Sequence, residues 1–247
     1  MTKDGRPSRL NDIRYFHGET RHSGYLKGHE DAVAFGRRLA WYLNGEGVSL
    51  GAYTALYILL TPSLSPGRIQ ITDNGGDWWQ RYTHVGVPLD FPNVPDSSEI
   101  VMDGTVAALK AIRPDLVRLI ADAEHIVREQ GENLRFLLKT RQTKRHIIDI
   151  SCTIAVWPRP SLLFVSLTDR SNGAFLEASP ISVGFYNEVF DLAGAIRITK
   201  TAAELLPNQS VRAKLTSASH GGPLVKSLPE FLPSPRPVFS QLVKRRG

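Results

Sequence analysis

The residues whose types and spacing suit chemistry begin with Gly47-Val48-Ser49-Leu50-Gly51, followed by Ala52. A serine between two glycines can occupy a tight turn with its hydroxyl projecting, and Asp169 and then His220 follow it along the chain. A serine nucleophile, a histidine base and an orienting acid together carry out acyl transfer. The remaining histidines are His17, His22, His29, His84, His125 and His146. His17-Gly18-Glu19 and His29-Glu30-Asp31 are loose groups able to touch an ion. Zinc asks for three or four converging ligands, and neither HExxH nor a cysteine cluster supplies them, so no metal is expected. Asp73-Asn74-Gly75-Gly76-Asp77 lacks the spacing and distal Glu of a calcium loop and reads as a hairpin turn. There is no GxxxxGK[ST] loop and no GxGxxG fingerprint, so no cofactor is expected.

The G-x-S-x-G run resembles the nucleophile elbow of the α/β-hydrolases over six residues, together with their Ser…Asp…His order. The resemblance implies a serine hydrolase acting through Ser49, with Asp169 or Asp191 and His220 as partners. The surroundings depart from the family's pattern. AWYLNGEG before Ser49 reads as a helix end and a loop where the family has a strand, and the segment after it reads as strand. Ser49 also lies too near the N-terminus for the usual preceding strands. A glycine-flanked turn serine is the plainer reading, and the chain carries no catalytic expectation beyond it.

Two groups suit recognition. KTRQTKRH places Lys139, Arg141, Lys144 and Arg145 together, a basic patch able to neutralise phosphates. The same charges are favourable at a helix C-terminus, where this stretch is expected to lie. Trp78, Trp79, Arg81 and Tyr82 combine aromatics with a cation, the mix that dominates protein contacts and stacks bases. Trp79, Tyr82 and Val85 are also core candidates of a strand.

The chain has 247 residues, 42% hydrophobic and 9% aromatic, enough for a real core in one large or two small domains. The net charge of +6, from 30 Lys+Arg against 24 Asp+Glu, suits nucleic acid, an acidic partner or plain solubility. No run approaches the roughly 20 apolar residues of a membrane span, and the N-terminus has no apolar signal region. One cysteine excludes an internal disulfide framework. Cys152 alternates with apolar neighbours and is expected in a core. A soluble, cytoplasmic protein follows, with no membrane partner.

The expected elements are as follows. Residues 1–27 read as an irregular arm, docked through Ile13, Tyr15 and Phe16. A helix spans 29–44, with acidic residues in its first turn and Asn44-Gly45 as its stop. Strands are expected at 53–61, 68–72 and 78–89, and a loop at 91–98. Helical period runs from 103 to 140, with a new start at Pro114 and a last segment at Leu134, Leu137 and Leu138. The clearest pattern is a meander. Ile148 to Thr153 alternates, Trp157-Pro158-Arg159-Pro160 breaks the run, Leu162–Thr168 is a second strand, and a turn at 169–173 leads to a third at 174–178. Residues 181–190 fit either helix or strand. Ala195–Thr199 reads as a strand, Ala202–Leu206 as a helical turn and Val211–Thr216 as a strand. Residues 219–247 form a proline-rich basic tail.

The fold class is α+β, an antiparallel meander packed against a helical middle segment. One domain is expected over 28–218. An echo between PSLSPGRIQITDNGG from 62 and PSLLFVSLTDRSNG from 160 suggests two similar β-units, 46–100 and 145–218, joined by helices over 103–140. For function, the expectation is a non-enzymatic protein-binding protein, most concretely an inhibitor or immunity-type protein occluding a bacterial toxin or enzyme. Its contact group is Trp78, Trp79, Arg81 and Tyr82. The alternatives are a nucleic-acid-binding protein using Lys139, Arg141, Lys144 and Arg145, and a serine hydrolase through Ser49.

Overall fold

Ala55–Thr61 (ALYILLT) is an unbroken apolar run, and all seven of its residues are buried. A strand with no polar face must be covered on both sides and have strands at both edges. The computed structural model, which describes residues 7–72 and 79–243, places this run (β2) between two parallel neighbours. β1 is Asp12–His17 and β4 is Gln80–Gly86, and β3 (Ile69–Thr72) pairs antiparallel on the outside of β4. The strand order is β1-β2-β4-β3. The expected irregular arm therefore contains a strand. Ile13 and Tyr15 alternate with polar residues because they line one buried face.

Helix α1 (Glu30–Gly45) starts with Glu30 and Asp31 in its first turn. Helix α2 is Ser97–Ile112 and α3 is Val117–Gln130. Tyr15 packs against Gly36 of α1, and its hydroxyl hydrogen-bonds Thr105 of α2 at 2.9 Å. Burial pushes the Tyr15 phenol well above its ordinary pKa. Gly104 of α2 also lies against Val85, too close for a Cβ without a shift. Two glycines thus let two helices approach the same face of the sheet, the side-chain-free contact that close packing of helix on strand requires.

These elements belong to a compact unit covering residues up to Gly131, and residues Glu132–Val243 form a second. In the second unit β5 (Phe136–Gln142), β6 (His146–Cys152), β7 (Ser161–Asp169) and β8 (Phe175–Glu177) make the antiparallel meander. β9 (Ile181–Val183) pairs antiparallel with the start of β7. Cys152 is fully buried there, and desolvation raises its thiol pKa. A short helix, α4 (Val189–Leu192), leads to a three-stranded sheet of β10 (Ala195–Ile198), β11 (Ala202–Leu206) and β12 (Leu224–Ser227), with α5 (Val211–Ser219) between the last two. β13 (Leu232–Pro233) pairs with β8. The α+β class holds. Among the described residues, no helix is long and apolar enough to cross a membrane.

Three further segments differ from expectation. Residues 136–142 form a strand instead of a last helical segment. The register shifts between Leu137 and Lys139, and this bulge destroys the alternation that would have marked it. Residues 202–206 form a strand because β10 and β12 pair on both sides of it, overriding the helix preference of Ala, Glu and Leu. Residues 211–219 form a helix, capped by Ser210 accepting from the Ala213 amide at 3.1 Å. The tail is extended but not free. Its β13 and the bridge between Arg135 and Phe239 attach it to the meander.

Candidate functional site

Ser49 sits in a turn of the first unit. Its hydroxyl accepts from the Gly51 amide at 3.0 Å and donates to the Gly51 carbonyl at 3.2 Å. Its carbonyl accepts from Arg113, which is also paired with Asp115. Asp169 and His220 belong to the second unit. Asp169 accepts from the amide and hydroxyl of Ser171, which lower its pKa, and His220 lies 3.8 Å from Glu188. Each of the three side chains is thus engaged locally. Asp191 is buried against Arg212 at 3.0 Å. Among the described residues, no group of three His, Cys, Asp or Glu side chains could hold a metal ion. The turn at 73–77 and Trp78 lie outside the described residues.

The remaining three members of the aromatic group pack inward. Tyr82 is only 6% exposed and belongs to a cluster with Phe16, Ala55, Tyr57 and Leu59, against which Trp79 rests. Its hydroxyl donates to Gln80, whose amide donates to the Tyr57 hydroxyl. Arg81 lies over the Tyr53 ring at 5.2 Å. Strand β4 has neighbours on both edges, so its backbone is satisfied within the sheet, and of this group Tyr82 is buried while Trp79 and Arg81 are partly exposed.

The basic patch forms a hairpin, not a helix end. Lys139 and Arg141 alternate on β5 and donate to the carbonyls of Gly194 and Ile196. Those carbonyls flank and belong to β10, an edge strand whose outer groups need donors. Arg145 is mostly exposed, 3.9 Å from Asp169. Half of the patch therefore satisfies backbone, which leaves Lys144 and Arg145 at the hairpin tip.

The structure brings together a different aromatic group. Trp157 and Phe185 stack in parallel, their ring planes 6° apart and centroids 6.2 Å apart, and they are 57% and 61% exposed. Trp157 follows β6 and Phe185 follows β9, and both strands pair with β7. The pairing carries the two rings to the same end of the sheet. Arg159 stands two residues beyond Trp157, its guanidinium 2.6 Å from Glu132. The Trp-Pro-Arg-Pro break was visible in the sequence. Its partner was not, because Phe185 lies in the stretch whose period fits strand and helix equally.

On the meander itself the tail borders an open depression of about 570 Å³, lined by Arg135, Phe164, Glu177 and Arg236 among others. Arg135 lies 3.0 Å over the Phe164 ring and grips Glu177 with both terminal nitrogens at 3.2 and 3.3 Å. Arg236 donates to Thr168 at 2.8 Å and lies over Phe175. Arg135 and Glu177 thus neutralise each other, and Arg236 ties the tail to β7 and β8.

Comparison of the chain with protein-family models, with curated proteins and with solved structures returned no match.

Proposed function

We propose that this protein acts by binding another protein, with Trp157, Phe185 and Arg159 as its contact group. The observation that carries the proposal is the solvent-exposed stack of Trp157 on Phe185. Two large rings left in water lose the hydrophobic stabilisation that burial would give, so exposed aromatics of this size mark surfaces that a partner covers. Tryptophan and arginine are the residue types over-represented where binding energy concentrates. Arg159, two residues beyond Trp157, is already paired with Glu132, which reduces the ordering cost of its side chain on docking. An inhibitor or immunity-type protein that occludes a bacterial toxin or enzyme is the concrete form of this reading.

The test is capture by the tagged full chain from lysate of its own source, with nuclease present, alongside Trp157→Ala and Phe185→Ala. One protein is expected at stoichiometric level with the wild type. Each variant is expected to bind that protein about 30-fold more weakly, the effect of losing roughly 2 kcal/mol at a central aromatic contact. A capture that depends on nucleic acid, or that both variants retain in full, refutes the proposal.

A further inference from the structure

β1, β2 and β4 run parallel, so the segments after β1 and β4 leave the sheet at its same, carboxyl edge. Each leads into a helix, α1 or α2, which therefore start beside one another. In open sheets of this kind the carboxyl edge is where ligands bind. At this edge His29, immediately before α1, meets Ser97, the first residue of α2. Ser97 Oγ lies 2.9 Å from His29 Nε2, and His29 Nδ1 lies 2.9 Å from the Lys27 carbonyl oxygen. A carbonyl only accepts, so Nδ1 carries the ring proton. Nε2 of the neutral imidazole is then the acceptor for the Ser97 hydroxyl.

We propose that Ser97 and His29 are a nucleophile and base for acyl transfer from carboxylic esters. The proposal is separate from the protein-contact surface of the other unit. The Lys27 carbonyl does the orienting work that a carboxylate does in a serine triad. The imidazole is 6% exposed, and its ring faces Phe91 at 5.6 Å, so its plane is held by packing. Ser97 is half-buried. The first-turn amides of α2 have no acceptor within the helix, and the side chain of Asp96 does not cap them. They are donors available to an oxyanion beside Ser97. Asp96 is also the one non-glycine residue with positive φ (56°) among the described residues, so the turn that presents Ser97 is a strained one.

The steps balance with ester and water alone. Ser97 Oγ bonds the acyl carbon while its proton passes to His29 Nε2. The bond from acyl carbon to alkoxy oxygen breaks, and the alcohol leaves with that proton. Water then attacks the acyl-serine, giving a proton to His29. The carboxylic acid departs as the serine oxygen recovers its proton. Nδ1–H stays on the Lys27 carbonyl throughout.

The opposing account is that the bond only ties the two helix starts together, as Ser98 does to Asp31 at 2.8 Å. Reaction of the full-length wild-type protein with a fluorophosphonate, followed by peptide mapping, separates the two. The proposal expects the adduct on Ser97. Its rate of formation should fall at least about 100-fold in His29→Gln, the contribution of a positioned general base. It should persist in Ser98→Ala, and hydrolysis of 4-nitrophenyl acetate should be lost in Ser97→Ala. An unlabelled Ser97 in the wild type, or equal labelling in His29→Gln, overturns it.

Discussion

Replacing Gly36 by alanine tests the packing that brings α1 and α2 onto one face of the sheet. A Cβ at Gly36 would stand 1.9 Å from the Tyr15 hydroxyl oxygen and 2.8 Å from the ring carbon bearing it. Tyr15 is 2% exposed and cannot step aside into solvent. Three effects compete. Alanine gains about 1 kcal/mol over glycine in a helix interior. Forcing the ring aside costs about 1–3 kcal/mol of overpacking. Displacing the hydroxyl from Thr105 costs about 1 kcal/mol more. The balance is a net loss of about 2 kcal/mol, or about 30-fold faster hydrogen exchange in amides of α1 and α2 that open with the whole unit. The companion Tyr15→Phe should cost only about 1 kcal/mol, because the Thr105 hydroxyl keeps its bond to the Val101 carbonyl. The double variant removes the atom in closest conflict and should be more stable than the sum of the singles. Mass-spectrometric exchange of peptides from 30–45 and 97–112 reads all three proteins. A Gly36→Ala protein as stable as wild type, or strict additivity in the pair, refutes the reasoning.

Ser210→Ala should destabilise α5 by about 1 kcal/mol through loss of its cap, read as faster exchange confined to 211–219. Lys139→Ala and Arg141→Ala should speed exchange in β10 because the Gly194 and Ile196 carbonyls lose their donors; unchanged exchange there would detach the basic residues from that structural role. Cys152 should resist a thiol reagent in the native protein and react fully in urea, since burial both shields the thiol and raises its pKa. Donation from Ser63 and Thr61 lowers the Glu19 pKa, so its contribution to stability is present above the ordinary carboxylate pKa and is lost as pH falls through the lowered one. Glu19→Gln should therefore flatten the acid side of the melting-temperature profile, and an unaltered profile would contradict the assignment.

The legible parts of the fold were those where one local rule acted alone. Helix α1 carried acidic residues at its start and Asn44-Gly45 at its end, and β2 carried a continuous apolar run. β6 carried alternating apolar and polar residues, and β7 a short apolar run closed by a turn signal. The parts that misled had their local preference overruled by a distant partner. Ala202–Leu206 has helix-forming residues, and only its pairing with β10 and β12 on its two edges makes it a strand. Val211, Ala213 and Leu215 alternate like a strand, whereas the cap at Ser210 and the burial of Ala213 and Ser217 follow the helical repeat. The contact group failed to emerge for the same reason. Trp157 and Phe185 are 28 positions apart, and their stacking is a product of β7 pairing with both β6 and β9. In the sequence His29 stands only beside acids, which suggest a loose ion-binding group. Ser97 reaches it only through the parallel order of β1, β2 and β4.

The tail that spans the meander also sets a timetable. Leu232 and Pro233 complete the β8 edge, and the amides of Ser240 and Val243 reach the carbonyls of Arg135 and Leu137 at the β5 end. During synthesis β5 emerges about a hundred residues before the segment that meets it, an interval of about 5–20 s at ordinary elongation rates. Through that interval the sheet offers bare strand edges to any other chain nearby, the state in which intermolecular pairing competes with folding. Lys139 and Arg141 lie on that waiting edge, and like charges on two such strands oppose their pairing. The basic residues that suggested a nucleic-acid site thus also disfavour pairing of this edge with the same edge of another chain.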